Sequence, residues 1–313
     1  MENPCSRVNP LLNLEMKCGV PQEILRVIVE PLVARGILDM TRTSSLKKGQ
    51  GRAVMSIGGR NRGMILKFDR CHDRIWREVK RLRMLNDSHV KEHFPRLESY
   101  GSVPDGGWSY LLQERVDGTP LNRIAGYFDC GPLIEQMIEV QLAIVGQPCR
   151  RGIESDWLES FIKFAEARLI SLLTHGTISD ITYRQANKVN EELLAASGSF
   201  TLLPIHGDLK PEHVYVVRQS ERLKFRFVDL ADATFGDGAW DVAVLTLEND
   251  QWMRVAVESM NNNIEVSKQD FSRRVELYQF IRTICNLDYA REFNLQKQGL
   301  LRYVEERLSR LRY

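Results

Sequence analysis

The pattern of apolar positions predicts a helix near the start of the chain. Apolar residues recur at helical spacing between residues 21 and 36, and Gly36 supplies a stop signal. The expected apolar face comprises Ile24, Ile28, Leu32 and Val33. Pro31 lies inside this pattern, and because proline lacks a backbone N–H and crowds the preceding turn, we expect a kink or a break there. The pattern therefore predicts a packing helix that leads into the folded domain.

Short strand-like runs follow this helix and are separated by turns and by one further helical pattern. The five runs are residues 40–46, 53–57, 64–68, 94–103 and 108–116. A helical pattern over residues 73–86 carries an apolar stripe made of Ile75, Val79, Leu82 and Leu85. We predict a five-stranded antiparallel sheet with this helix between its third and fourth strands.

Helical spacing dominates residues 121–196, with interruptions near 146–152 and 174–180, and it returns after Asp241. The apolar stripes include Ile134, Ile138, Val140 and Leu142, then Phe161, Phe164, Ala165 and Leu169, and finally Tyr278, Ile281, Ile284 and Leu287. Stripes of this kind are more often core than binding site. The second part of the chain is therefore predicted to be mostly helical.

A β-hairpin is predicted within this helical part of the chain. Apolar runs at residues 214–217 and 225–228 flank a polar turn at residues 218–224. The tripeptide His206-Gly207-Asp208 lies just before the first run, and Asp229 immediately ends the second. Two carboxylates are thereby expected at the same end of one small sheet, on the loops that enter and leave it.

Carboxylates in that arrangement suit phosphoryl transfer. One carboxylate takes or orients the proton of an attacking hydroxyl, and the other holds Mg²⁺ against the nucleotide phosphates. Aspartates at strand ends are also common turn residues, so Asp208 and Asp229 taken singly admit that plainer interpretation. The accompanying His206, Lys210 and Asp241 favour a functional site.

Composition narrows the expected partners and compartment. The 313 residues carry a net charge of +2, which is too balanced to indicate nucleic-acid binding. Six cysteines are scattered without CxxC pairs or metal-ligand spacing, which predicts reduced thiols in a cytoplasmic protein. Residues 1–20 show no signal-peptide pattern, and charges interrupt the apolar run at 24–38, so we expect no membrane partner.

Two segments, HGDLKPEHVYVV and FVDLADATFGDGAWDVAV, resemble the aminoglycoside phosphotransferase-like kinases, which include choline kinase-like enzymes. That family usually has an HGDLxxxN catalytic loop, a metal-binding aspartate further along and a following GD…D segment. The resemblance implies a bilobal α+β protein-kinase-like fold. The predicted divisions are an N-terminal extension (1–39), a β-rich nucleotide-binding lobe (40–116) and a helical lobe with the catalytic and metal-binding loops (117–313).

The resemblance also implies roles for residues around the hairpin. Asp208 would be the catalytic base and Asp229 the main Mg²⁺ ligand, with ATP or GTP as the nucleotide. Lys210 lies in DLKPE, which is how the catalytic loop of serine/threonine protein kinases reads, and there this lysine contacts the γ-phosphate. His206 and Asp241 are implied as structural residues of the site, with Asp241 tying a helix N-terminus to the catalytic loop.

His213 departs from the family pattern, because the family has a metal-binding asparagine at this position, five residues after the catalytic aspartate. A neutral imidazole can bind a metal, but Mg²⁺ prefers hard oxygen donors. Three interpretations stay open at this point. His213 is a poor ligand at a weakened second metal position, it contacts the phosphates instead, or it is a structural residue, as a lone histidine more often is.

The predicted sheet carries the candidate nucleotide-binding residues. Lys67, in the apolar run MILKFD, resembles the kinase strand-three lysine that contacts the α- and β-phosphates, and Glu78 is its candidate ion-pair partner. A lysine exposed on an edge strand and a surface helix charge are the plainer interpretations of these two residues. The turn at residues 47–52 contains Gly49 and Gly51, which would let backbone amides approach phosphates, although an ordinary hairpin turn fits equally.

The end of the last predicted strand resembles the hinge between kinase lobes. The segment LLQERVDGTPL has an apolar strand, a turn at Asp117-Gly118 and the start of a helix. The resemblance implies adenine against the backbones of Glu114 and Val116, with Gln113 in the gatekeeper position. A plain loop turn remains the alternative.

These observations favour an ATP- or GTP-dependent kinase that acts on a hydroxyl of a small molecule. The acceptor stays open among aminoglycoside-like, amino-alcohol and sugar compounds, since acidic residues of the helical part (Glu135, Glu139, Asp156 and Glu159) are scattered. Glu248 and Asp250 could line an acceptor site or simply face solvent. One alternative is a nucleotide-binding pseudokinase, suggested by His213. Another is an atypical serine/threonine protein kinase, which DLKPE suggests but which the short spacing from Asp229 to Trp240-Asp241 disfavours, because it leaves no long activation segment.

Overall fold

A computed structural model describes residues 20–49, 52–59, 62–103, 107–124, 128–145, 157–196, 202–219, 222–263, 268–295 and 298–311. These residues form two compact units. The first unit comprises the described residues of Met1–Ile124 together with Glu212–Asp232. The second comprises those of Ala125–Pro211 and Ala233–Tyr313.

The strands, in chain order, are β1 (Leu38–Gly49), β2 (Arg52–Gly59), β3 (Met64–Asp69), β4 (Leu97–Val103), β5 (Trp108–Glu114), β6 (Thr119–Pro120), β7 (Leu202–Ile205), β8 (Val214–Gln219), β9 (Arg222–Phe227) and β10 (Thr234–Asp237). The α-helices are α1 (Gln22–Ala34), α2 (His72–Asn86), α3 (Gly131–Val145), α4 (Trp157–Thr174), α5 (Asp180–Ala195), α6 (Gly238–Leu245), α7 (Asp250–Asn263), α8 (Lys268–Glu292) and α9 (Gln298–Leu311). None of the helices in the described part of the chain has the length and apolar character needed to cross a membrane.

The first unit is built on the predicted five-stranded antiparallel sheet. Its strand order is β1-β2-β3-β5-β4, and every neighbouring pair is antiparallel. The predicted helix α2 lies between β3 and β4 in the chain, and its stripe of Ile75, Val79, Leu82 and Leu85 is buried as expected. The alternating pattern of short strands therefore predicted this part of the architecture correctly.

Helix α1 packs its apolar face into the core of the first unit, but that face differs from the predicted one. Ile24, Leu25, Ile28, Val29 and Leu32 are buried, whereas Val33 is 39% exposed. The prediction of Val33 was wrong because the helix is rotated so that its positions 24, 25, 28, 29 and 32 face the core.

Pro31 does not break α1, which runs from Gln22 to Ala34 as one element. The hydrogen bond that proline cannot donate would have ended on the carbonyl of Val27. Val27 is 61% exposed, so its turn of the helix faces solvent, where water can satisfy that carbonyl. The expected split at Pro31 is therefore absent.

A second sheet of the first unit contains the predicted hairpin. Its order is β6-β8-β9, and β8 and β9 are longer than predicted, because Val217 to Gln219 pair with Lys224 to Arg222. The polar turn expected at residues 218–224 was therefore too wide. Cross-strand pairing extended the strands through polar positions that the apolar pattern alone assigned to the turn.

The second unit is mostly helical, as predicted, and it also contains the antiparallel pair β7 and β10. Helix α8 contacts α4, α6, α7 and α9. Aromatic side chains fill part of this core: Trp157, Phe161, Trp240 and the fully buried Tyr278 lie in edge or stacked contact. This packing holds α6 and α8 beside the chain that follows β7.

Two residues of the predicted apolar stripes are exposed in the second unit. Leu142 on α3 is 48% exposed and Phe164 on α4 is 45% exposed. In α4 the buried face is Ile162, Ala165, Leu169 and Leu172, so Phe164 lies outside it and instead contacts the guanidinium of Arg168. Sequence periodicity predicted the helices correctly and placed one residue on the wrong face in two of the three stripes.

Candidate active site

Lys67 occupies a buried polar position in the first unit. It lies on β3 and is only 6% exposed. Its Nζ is 2.6 Å from Glu78 Oε1 on α2 and 3.0 Å from Asp229 Oδ1. Burial by itself would lower the pKa of Lys67, but attraction to the two carboxylates raises it above its ordinary value. Lys67 is therefore a fixed cation, and neither plainer interpretation of Lys67 and Glu78 describes this geometry.

Asp229 lies two residues after the end of β9 and has an unusual backbone conformation. Its φ is 65°, in the left-handed region, which most residues with a side chain avoid and which aspartate and asparagine adopt more readily. Oδ1 faces Lys67 and also lies 3.4 Å from Arg52 Nη2, while Oδ2 is 3.6 Å from His213 Nε2. Burial would raise the pKa of Asp229, but the charges of Lys67, His213 and Arg52 hold it well below its usual range. Asp229 is therefore ionised.

Arg52 belongs to this cluster although the sequence did not single it out. It is the first residue of β2 and pairs with Gly49, the last residue of β1. The predicted glycine turn at residues 47–52 is therefore narrower than expected, and Gly51 lies outside the described residues. The available signal was the basic flank of the turn, because a cation beside a glycine loop suits an anionic ligand.

The side chains around Asp229 meet only part of what Mg²⁺ requires of its ligands. The described residues contain no group of three or more His, Cys, Asp or Glu side chains that could hold a metal by themselves. Mg²⁺ is commonly bound by one or two carboxylates together with substrate phosphates and water. The ionised carboxylate of Asp229 fits that requirement, whereas the imidazole of His213 is a softer donor than Mg²⁺ prefers.

Asp208 lies in the second unit, after β7. Its Oδ2 is 2.9 Å from Lys210 Nζ, and its Oδ1 is 2.8 Å from Nη2 of Arg282 on α8. The preceding Gly207 has a φ of 81°, a conformation that favours glycine. Both oxygens of the predicted base are thus in contact with cationic side chains.

Asp241 determines the backbone geometry of this segment. It lies in the first turn of α6 and accepts hydrogen bonds from the backbone N–H of His206 at 2.6 Å and of Gly207 at 3.0 Å. Trp240, the preceding residue, donates its indole N–H to the Gly207 carbonyl at 2.7 Å. Burial raises the pKa of Asp241 to about 6, against the opposing effect of His206 and the backbone donors. The N-terminal turn of α6 therefore holds the residues just before Asp208.

The predicted hinge residues end the sheet of the first unit. Gln113 is 2% exposed, and its Oε1 has no hydrogen-bond partner among the described residues. The backbone N–H of Glu114 donates to the Arg96 carbonyl at 2.8 Å, and its carboxylate contacts Arg226 at 3.0 Å. Val116 is buried, and the Asp117 side chain is exposed.

The structure therefore collects the predicted residues into two clusters. In the first unit Lys67, Glu78, Asp229 and His213 lie together, with Arg52 added. In the second unit Asp208, Lys210, His206 and Asp241 lie together, with Arg282 added. Arg282 lies 74 residues after Asp208 in a helix without a motif, so no local signal identified it.

The described residues combine three features: a buried sheet lysine paired with a helix glutamate, an ionised aspartate after a hairpin, and an aspartate-bearing loop held by the start of a helix. Together these features are typical of a protein-kinase-like phosphotransferase. Sequence comparison agrees, since the model of the phosphotransferase enzyme family (APH) matches residues 43–276. The chain belongs to this phosphotransferase enzyme family. The predicted family and the predicted enzyme class, a small-molecule kinase acting on a hydroxyl group, are thereby confirmed.

Solved structures of aminoglycoside phosphotransferases have the same fold. The GDP complex of a mutant aminoglycoside 2'-phosphotransferase-IIIa has a TM-score of 0.71 at 18% identity, covering 91% of this chain and 97% of that chain. The GDP and kanamycin complex of APH(2")-IIia gives the same TM-score and identity, with 91% and 98% covered. A ternary complex of APH(4)-Ia with ADP and hygromycin B has a TM-score of 0.56 at 13% identity, covering 90% and 96%. The predicted bilobal protein-kinase-like α+β fold is thereby confirmed.

No curated protein matches the chain.

Proposed function

We propose that this protein transfers the γ-phosphoryl group of ATP or GTP to a hydroxyl of a small molecule. The observation that carries the proposal is the buried contact of Lys67 with both Glu78 and Asp229. A buried lysine is costly unless it is paired, and pairing it with one carboxylate would be sufficient for stability. A second carboxylate in contact with the same lysine indicates that the position of Asp229 matters for more than packing.

The cluster in the first unit supports phosphate binding. Glu78 fixes the direction of the Lys67 ammonium, which would then contact the α- and β-phosphates. Asp229 would hold Mg²⁺, which when bound neutralises charge on the phosphate oxygens. Gly49 and Gly51 would contribute backbone amides, and Arg52 is positioned beside that turn as a further cation for the phosphates.

The cluster in the second unit supports the roles of base and charge partner. Asp208 would accept the proton of the acceptor hydroxyl, and Lys210 would stabilise negative charge on the transferred group. In the structure, the Lys210 ammonium forms an ion pair with Asp208 Oδ2. If Lys210 turned to a γ-phosphate oxygen, Oδ2 would become available to the hydroxyl. His206 and Asp241 would act by holding the loop, not by contacting the reacting atoms.

The end of β5 supports a place for the base of the nucleotide. Because the N–H of Glu114 is already bonded to Arg96, its carbonyl would be the group that accepts from adenine. Val116 would supply the backbone donor, and buried Gln113 would act as gatekeeper. The structural neighbours contain GDP in some complexes and ADP in another, so both adenine and guanine nucleotides require testing.

Acceptor-dependent turnover tests this proposal. The protein is incubated with Mg²⁺ and either ATP or GTP, with and without hydroxyl compounds of different charge, and nucleoside diphosphate release is measured together with the mass of the acceptor. We expect diphosphate release that depends on the acceptor and a mass increase of one phosphoryl group. Nucleotide binding without turnover for every acceptor would instead support the pseudokinase, which the softer donor His213 beside Asp229 favours.

His213→Asn tests whether this histidine is a poor metal donor or has a specific role. If the imidazole is a poor metal donor, asparagine supplies a hard oxygen, so activity should be held or raised and less Mg²⁺ should be needed for half-maximal rate. The measurement is a Mg²⁺ titration of the initial rate, with exposed His89→Asn as the matched control. A collapse of activity at saturating Mg²⁺, with the melting temperature unchanged, would show that the histidine has a specific role.

A further inference from the structure

The groups in direct contact at Asp208 carry an excess of positive charge. One carboxylate is in contact with two cationic groups, the Lys210 ammonium and the Arg282 guanidinium. The Arg282 and Asp208 side chains are each 16% exposed, and that of Lys210 is 34% exposed. The contact groups therefore sum to one positive charge at a position that is partly desolvated but still reachable from solvent.

Among the described residues of the second unit, the buried acidic side chains contact groups other than Lys210 and Arg282. Asp237 pairs with Arg274 at 2.7 Å. Asp288 pairs with Arg168 at 2.7 Å and with Arg291 at 3.0 Å. Asp241 adds a negative charge near Asp208, but its oxygens accept from the backbone N–H groups of His206 and Gly207 and not from the two cationic side chains. Among the described residues of this unit, the carboxylate that contacts Arg282 is that of Asp208.

The scattered acidic residues noted in the sequence do not supply a cation-binding surface either. Glu135 and Glu139 are exposed on α3. Glu159 is 63% exposed and pairs with Lys163 on the next turn of α4. Asp156 lies outside the described residues. A site for a polycation requires carboxylates facing it, and the described residues provide cations beside Asp208 instead.

Arg282 has the chemistry to recognise an anion. A guanidinium is permanently charged, and its planar set of donors matches the two oxygens of a carboxylate or the oxygens of a phosphate. It is held on the long helix α8, which is packed by its neighbours on several sides, so the donor is presented from a rigid element. Its contact with Asp208 uses the terminal Nη2.

Building on the proposed function, we propose that the acceptor is an anionic hydroxyl compound whose carboxylate or phosphate binds Arg282. If the anionic group of the acceptor bound the Arg282 guanidinium in place of Asp208, Asp208 Oδ1 could then contact the acceptor hydroxyl. Binding of the correct acceptor would therefore also make the base available. A polycationic acceptor would meet like charge at the same place. Arg282 is thus a specificity-determining residue for the acceptor.

A matched set of sugar probes tests this inference on the full chain by calorimetry, without nucleotide. Glucuronate carries a carboxylate, glucose 6-phosphate a phosphate, glucose no charge and glucosamine an ammonium, and kanamycin represents a polycation. We expect at least one anionic sugar to bind about 10-fold or more tightly than glucose, glucosamine and kanamycin. The two anionic arms show whether carboxylate or phosphate is preferred.

Substitutions at Arg282 and at Asp208 should change the affinity for the anionic sugar in opposite directions. Arg282→Gln should weaken binding of the anionic sugar about 10- to 100-fold, and Arg282→Lys should restore part of it. Asp208→Asn should strengthen it, because the competing carboxylate is removed. The exposed Arg254→Gln on α7 removes the same charge from the same unit and should change nothing.

Several outcomes would overturn the inference. These are equal affinity for anionic and neutral sugars, preference for glucosamine or kanamycin, absence of binding by every probe, and loss of affinity in both Arg282→Gln and Asp208→Asn. Nucleotide binding is measured on the same preparations, since its cluster lies in the first unit. Its loss would contradict the proposed function, whereas normal nucleotide binding with no anion preference would contradict only the assignment of the acceptor.

Discussion

Asp208→Asn is expected to lower phosphoryl transfer about 10²- to 10⁴-fold, which is the contribution that a positioned general base usually makes. Asparagine keeps the size of the side chain and removes its ability to take the hydroxyl proton. Nucleotide binding should stay close to that of the wild type, because Lys67, Glu78 and Asp229 are unchanged. The measurement is kcat and KM for acceptor and nucleotide, with the nucleotide Kd determined separately.

The matched control for this substitution is Asp180→Asn, which removes a carboxylate at an exposed position of the same unit and should leave kcat unaltered. The Asp208→Asn protein should remain folded, since the Arg282 and Lys210 side chains retain some access to water. A transfer rate within ~10-fold of wild type would remove Asp208 as the base. Loss of nucleotide affinity together with activity would instead indicate damage to the fold.

Asp229→Asn is expected to abolish the Mg²⁺-dependent part of stabilisation by nucleotide. A ligand present at 100 times its Kd stabilises the folded state by about 2.7 kcal/mol, so a rise in melting temperature reports binding. Asparagine is preferred over alanine here, because the φ of 65° is tolerated by asparagine and strained for alanine. The measurement is the melting temperature with ATP and with GTP, each with and without Mg²⁺.

Asp87→Asn provides the control for Asp229, because it removes the same charge from an exposed helix C-cap of the first unit. A Mg²⁺-dependent rise in wild type and control, but not in Asp229→Asn, would support the metal site and identify the nucleotide. An unchanged Mg²⁺ effect in Asp229→Asn would contradict its role as ligand. A shift in wild type that does not depend on Mg²⁺ would favour the pseudokinase.

The elements of this protein follow closely from its local patterns. Alternating short runs predicted the five strands, and the stripe of α2 predicted both the helix and its buried face. Lys67 and Glu78 were recognisable because a lysine within an apolar strand and a glutamate on the following helix stand out against their surroundings. Such features depend on neighbouring residues in the chain, so they can be predicted from the sequence alone.

Features that depend on residues distant in the sequence could not be predicted in this way. The rotation of α1 that exposes Val33 and the exposure of Leu142 and Phe164 are decided by packing, because periodicity specifies a helical face only to within about one residue on either side. Strand lengths at both hairpins were set by cross-strand hydrogen bonds at polar positions. The role of residue 116 as a lobe boundary stays a prediction.

Arg52 and Arg282 show most clearly which features the sequence determines and which the tertiary structure decides. The sequence alone was sufficient for the family, the fold class and the candidate roles of Asp208 and Asp229, since these lie in contiguous motifs. Only the folded chain brings Arg52 to Asp229 across 177 positions and Arg282 to Asp208 across 74 positions. Electrostatic contacts act through space, so the charge beside each aspartate, and with it the expected acceptor, was decided by tertiary structure.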